Sequence, residues 1–91
     1  MTTLESLLRS GKANIIDVRT PAEYASGHVP NSKNVPLQEI TLRLNELKNV
    51  ENLVLCCASG NRSARATVLL KQNGITCEDG GSWLDINTIS N

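Results

Sequence analysis

Two short apolar runs, Asn14-Ile15-Ile16-Asp17-Val18 and Leu53-Val54-Leu55-Cys56-Cys57, are each followed within a few residues by a helix start. No other feature constrains the fold as much. Such runs have strand length, and their nearly unbroken apolar character suits strands covered on both faces. After the first, Thr20-Pro21-Ala22-Glu23 sets a threonine cap, a proline at the first helical position and a glutamate completing a capping box. After the second, a helical pattern runs from Ser63 to Asn73 with Ala64, Val68 and Leu69 expected to face inward, and Gly74 closes it. Strands alternating with helices, each connection long enough to cross over, dictate an α/β domain with a mainly parallel sheet.

The rest of the chain fits between these anchors. Leu4, Leu7 and Leu8 have helical spacing over Leu4 to Ser10, with Thr3 as the expected cap and Gly11 as the stop. Gly27 ends the helix begun at Thr20, and Pro30 and Pro36 bracket a loop with a short extended piece near Val35. Leu37, Ile40, Leu44 and Leu47 predict a second helix over Leu37 to Leu47. Ile75-Thr76-Cys77 reads as a brief strand, Asp79-Gly80-Gly81-Ser82 as a turn, and Trp83 as the start of a C-terminal helix. Residues 1–91 are read as one domain, without linker or repeat.

Composition removes several function classes. Nine basic and nine acidic residues are mixed along the chain, which leaves no basic stripe for nucleic acid or a membrane surface. No apolar stretch approaches the roughly 20 residues of a membrane span. The opening Met1-Thr2-Thr3-Leu4-Glu5, with no charged segment followed by an apolar one, is not expected to act as a secretory signal. Three cysteines, two of them adjacent, suit reduced thiols in a cytoplasm better than a disulfide scaffold.

Chemistry concentrates in Cys56-Cys57-Ala58-Ser59-Gly60-Asn61-Arg62-Ser63. A thiol ending a buried strand, a short loop with a glycine and an arginine at a helix start form a nest for an anion, and the same field favours a thiolate. Two frames are open. Counting from Cys56 gives Cys-x5-Arg-Ser, the general form of the cysteine phosphatase loop, wide enough for a tetrahedral phosphate. Counting from Cys57 gives Cys-x4-Arg, a ring that closes around one sulfur atom. Asp17 ends the other strand, and in a parallel sheet both strand ends face one crevice.

The segment Cys57-Ala58-Ser59-Gly60-Asn61-Arg62-Ser63-Ala64-Arg65-Ala66 closely resembles the active-site loop of rhodanese-like sulfurtransferases. Ile16-Asp17-Val18-Arg19-Thr20-Pro21-Ala22-Glu23-Tyr24, then Gly27-His28-Val29-Pro30 with Asn34-Val35-Pro36-Leu37, then Gly80-Gly81 with Trp83, resemble further blocks of that family in the same order. The resemblance implies a three-layer α/β/α domain on a mainly parallel sheet of about four to five short strands. It implies that Cys57 takes a sulfane sulfur from thiosulfate or a persulfide and passes it to a thiol, cyanide or a protein acceptor such as a redox protein. Neither metal nor organic cofactor is called for. Ala58, Ser59, Gly60, Asn61, Arg62 and Ser63 would form the anion-binding loop, with Asp17 and Arg19 supporting it. A phosphatase or arsenate reductase built on the Cys56/Cys57-to-Arg62 loop, and a non-catalytic interaction module, are the alternatives.

The sequence departs from the family pattern in three places. Ala58 stands where many members carry a basic residue, which weakens the case for an anionic donor. Asn31-Ser32 replaces a small Gly-Ala pair, and asparagine can adopt the left-handed conformation such a turn needs. A short segment between Gly74 and Gly80 implies a clipped last strand. Outside the loop, Cys56 is expected to pack on the face opposite Cys57, and Cys77 in the core. His28 is expected to be structural, Glu23 a cap or ion-pair partner, and Trp83 a core plug.

Overall fold

The computed structural model describes residues 3–90. Helix α1 spans Thr3–Ser10; the side chain of Thr3, expected as its cap, lies outside the described residues. Strand β1 is Asn14–Asp17, α2 is Pro21–Ala25 and β2 is Lys33–Asn34. A 3-10 helix at Leu37–Leu42 leads into α3, Leu44–Leu47. Strand β3 is Leu53–Cys57, α4 is Asn61–Gln72, β4 is Glu78–Ser82 and α5 is Trp83–Ser90.

The four strands pair in parallel in the order β2-β1-β3-β4. β3 lies in the interior of the sheet and is buried along its whole length. Alternation divides its side chains between two cores. Leu53, Leu55 and Cys57 pack with Ile40, Leu47, Ala66 and Leu70, beneath α4 and the 3-10 segment. Val54 and Cys56 pack with Leu8, Val29 and Ile86, beneath α1 and α5. Helical layers therefore cover both faces, and the two adjacent cysteines point in opposite directions.

Three expectations are corrected. Leu37 to Leu47 is not one helix. Leu37/Ile40 and Leu44/Leu47 are both spaced by three, so a three-residue turn aligns each pair as well as an α-helix does. The i+3 bonds Glu39 N–H to Pro36 O (2.8 Å) and Arg43 N–H to Ile40 O (3.1 Å) hold the first piece, and Arg43 leaves helical geometry at φ −119°.

The second correction is the inward face of α4. Ser63, Ala66, Thr67 and Leu70 are buried, whereas Ala64 and Val68 are exposed and Leu69 is half-buried. Two polar side chains can face the core because each is satisfied there: Thr67 Oγ1 donates to Ser63 O (2.8 Å) and Ser63 Oγ to Asp79 (2.7 Å).

The third concerns the last strand. Ile75–Cys77 is irregular, although Ile75 and Cys77 are buried, and the expected turn at Asp79–Ser82 lies inside β4. Leu55 pairs with Asp79 and Cys56 with Gly81, so Gly80 is an extra residue in the ladder. A Cβ on Gly80 would lie 2.5 Å from Ile86 Cδ1, 2.8 Å from Val54 Cγ1 and 2.9 Å from the Leu55 carbonyl oxygen. Gly80 is there for close backbone approach and Gly81 for its left-handed φ of 76°, and neither reverses the chain.

Candidate active site

The loop after β3 curls back over the sulfur of Cys57. Gly60, at φ 98°, caps α4 in the left-handed region that a side chain would strain, and the helix starts at Asn61. Its N–H donates to Cys57 Sγ at 3.0 Å, and the Ser63 N–H donates at 3.3 Å. The thiol faces Ser63 Oγ at 3.5 Å. Burial by itself would raise the Cys57 pKa. The Ser63 hydroxyl and the backbone N–H groups of Ser63, Gly60 and Arg62 outweigh that effect and bring it below the ordinary thiol value.

Cys56 has the opposite environment. Burial, followed by the charge of Asp17, pushes its thiol up to about 12, with Arg19 opposing. Cys77 is also raised by burial, and its thiol faces Thr67 O at 3.8 Å. All three thiols are buried and free, but only that of Cys57 is surrounded by donors.

Within the loop, Ala58, Ser59 and Asn61 are exposed. Arg62 turns towards α2, where its two terminal nitrogens donate to the two Glu23 carboxylate oxygens at 2.6 and 2.9 Å. Glu23 also closes the capping box, accepting from the Thr20 N–H at 3.1 Å while its own N–H donates to Thr20 Oγ1. The Arg62 pairing, then the Thr20 N–H, draw the Glu23 pKa down to about 2. Both roles expected for Glu23 are thus filled by one side chain.

Asp17 and Arg19 are buried and joined by a bidentate pair, the shortest contact 2.8 Å. Arg19 also donates to Gly27 O at 2.6 Å and lies 4.8 Å from the centre of the Trp83 ring. They therefore brace the Gly27 turn and the start of α5; among the described residues, neither side chain bonds to residues 58–62. His28 Nδ1 meets Tyr24 O at 2.7 Å, and the ring stacks on Tyr24 at 3.8 Å, a structural arrangement. Asn31 takes φ 69°, the left-handed turn expected of it.

One residue of the site was missed in the sequence. Asp79, expected in a turn, lies on β4 and accepts from Ser63 Oγ at 2.7 Å and from Gly81 N–H at 3.0 Å. An available signal was its position two residues before a left-handed glycine, where aspartate accepts the glycine's N–H.

Among known proteins, the sequence model of the Rhodanese-like domain matches residues 1–82. The chain is 39% identical over 77 residues to the uncharacterized protein YqhL of Bacillus subtilis, covering 82% of this chain and 61% of that one. It is 34% identical over 88 residues to human thiosulfate:glutathione sulfurtransferase, covering 80% and 76% respectively. The solved structure of a human single-domain sulfurtransferase superposes with a TM-score of 0.76 at 32% identity, covering 90% of this chain and 89% of that one. The chain spans less than two thirds of the Bacillus protein's length.

Proposed function

The chain belongs to the rhodanese-like domain family, and from that premise we propose that it is a sulfurtransferase whose carrier is Cys57. The observation that carries this reading is the convergence of the Gly60 and Ser63 N–H groups on one sulfur, at 3.0 and 3.3 Å. Donors fixed in place before the reaction stabilise negative charge without reorganising. They suit the Cys57 thiolate that loading consumes and discharge regenerates. Relatives that carry the sulfurtransferase name support the same class of chemistry.

In the loading step the Cys57 thiolate attacks the outer sulfur of the donor. The donor S–S bond breaks, and its electron pair leaves on sulfite if the donor is thiosulfate, or on a thiolate if it is a persulfide. In the discharge step an acceptor thiolate, cyanide or a cysteine of a partner protein attacks the terminal sulfur. The bond to Cys57 breaks and its pair returns to Cys57 as thiolate. Neither step needs a metal, an organic cofactor or a general base.

Of the two donor types, the surroundings favour a persulfide. Arg62 has both terminal nitrogens committed to Glu23, and Ala58 adds no charge beside the sulfur. Buried free thiols fit a reducing cytoplasm, where thiols and persulfides exchange.

Mass spectrometry after incubation with a low-molecular-weight persulfide tests the proposal. The peptide holding Cys57 is expected to gain one sulfur atom, and Cys57→Ala to abolish the gain. An adduct that survives Cys57→Ala and disappears in Cys56→Ala overturns the assignment. So does hydrolysis of an aryl phosphate by a protein that never loads sulfur.

A further inference from the structure

Ser63 stands between the reactive sulfur and a carboxylate. Its hydroxyl has one proton and three neighbours in reach: Asp79 Oδ1 at 2.7 Å, Gly60 O at 3.1 Å and Cys57 Sγ at 3.5 Å. The shortest of these is also the charge-assisted one, so the proton belongs to Asp79 while Cys57 is a thiol. The Ser63 oxygen then offers a lone pair to the sulfur. Once the thiol ionises, that lone pair faces a negative charge, and the hydroxyl can stabilise the thiolate only by turning its proton away from Asp79. We propose that Asp79 is a positioning residue for the sulfur chemistry, acting through Ser63 to limit how far the hydroxyl stabilises the Cys57 thiolate.

This inference rests on the reading of Cys57 as the sulfur carrier, and it gives Asp79 a consequence for each half of that reaction. A less stabilised thiolate is the better nucleophile in loading and the poorer leaving group in discharge. Asp79 thus shifts the balance towards capture and retention of sulfur. Gly81 N–H, donating to the same Oδ1 at 3.0 Å, fixes the carboxylate from the strand side. The remaining charges nearby are the Arg62–Glu23 pair, Asp17 with Arg19 next to Cys56, and Lys71 with Glu78 next to Cys77. Among the described residues none of these side chains hydrogen-bonds Ser63.

A double-mutant cycle separates action through Ser63 from the plain loss of a charge. The pH dependence of iodoacetamide labelling at Cys57, followed by peptide mass, is measured in wild type, Asp79→Ala, Ser63→Ala and the double variant. Asp79→Ala is expected to lower the midpoint by about one pH unit, because the hydroxyl then donates to the thiolate without competition from the carboxylate. In the Ser63→Ala background the same substitution is expected to move it little. An equal shift in both backgrounds, or none in wild type, overturns the proposal. Asp79→Asn, whose amide oxygen keeps the Gly81 N–H and holds the Ser63 proton only through a weaker, neutral bond, serves if the alanine variant fails to fold; a smaller shift in the same direction is then expected, and its persistence in the Ser63→Ala background overturns the proposal. In single-turnover assays with a persulfide donor and a small thiol acceptor, Asp79→Ala is expected to speed discharge about threefold and to slow loading per thiolate by a similar factor. The labelling experiment reads the thiol whether or not sulfur is transferred, so failure of the carrier assignment and failure of the positioning role give different results.

Discussion

Glu23 joins two parts of the chain that the sequence keeps far apart. Its carboxylate closes the capping box of α2 and receives both terminal nitrogens of Arg62 at the start of α4. The Arg62 pairing and the Thr20 N–H lower its pKa from the ordinary 4.5 to about 2. A carboxylate whose folded pKa lies below its unfolded value contributes stability that is complete above the unfolded value and lost as pH falls through the folded one. Urea midpoints are therefore expected to decline between about pH 4.5 and about pH 2, with Glu23→Gln removing part of that slope. The pair is partly exposed, so added salt should shrink the effect. An unchanged slope in the glutamine variant would show that the ion pair does not couple α2 to the loop. The capping half of this role was legible, because Thr-Pro-x-Glu is a local code. Its partner was not, because pairing across two helices depends on how the sheet brings them together.

Elements set by local rules were readable, and those set by packing were not. The strands at Asn14 and Leu53, the box at Thr20 and the helix beginning at Trp83 each follow from residues adjacent in sequence. The break at Arg43 escaped the sequence reading because spacing by three fits both a 3-10 and an α turn. Strand β4 escaped because Gly80-Gly81 is turn-like in isolation. It becomes strand-like only when Ile86, Val54 and the Leu55 carbonyl crowd the space above Gly80. That crowding makes a prediction at the scale of the strand. Gly80→Ala forces a Cβ to within 2.9 Å of backbone oxygen and closer still to two buried side chains. The expected cost is about 1–3 kcal/mol, with a fall in Tm of roughly 4–8 °C per kcal/mol for a domain this size. The measurement is a thermal melt. A Tm within a degree of wild type would mean that β3 and β4 can separate at Gly80 without cost to the fold.

At the level of the whole molecule, the two faces of the sheet divide the three cysteines two to one. The α4 face holds Cys57 and Cys77, while the α1/α5 face holds Cys56 beneath Ile86, which is 1% exposed. The family match ends at residue 82, yet α5, which begins at the next residue, closes this second layer. Truncating a buried isoleucine to alanine costs about 2–5 kcal/mol, a large part of the roughly 5–15 kcal/mol that holds a domain together. Ile86→Ala is therefore expected to lower the urea midpoint substantially and to loosen α5 before the rest of the sheet opens. That loosening has a chemical signature. Under native conditions the wild-type chain should take iodoacetamide at Cys57 alone, since burial raises all three thiols and only at Cys57 do hydrogen-bond donors outweigh it. In Ile86→Ala a second, slower adduct should form at Cys56, whose thiol gains water and loses the burial that holds it near 12. Cys77, on the opposite face, should stay unlabelled. Labelling at Cys77 instead would mean that the two layers open as one unit, and that burial by α5 is not what keeps Cys56 silent beside the reactive thiol.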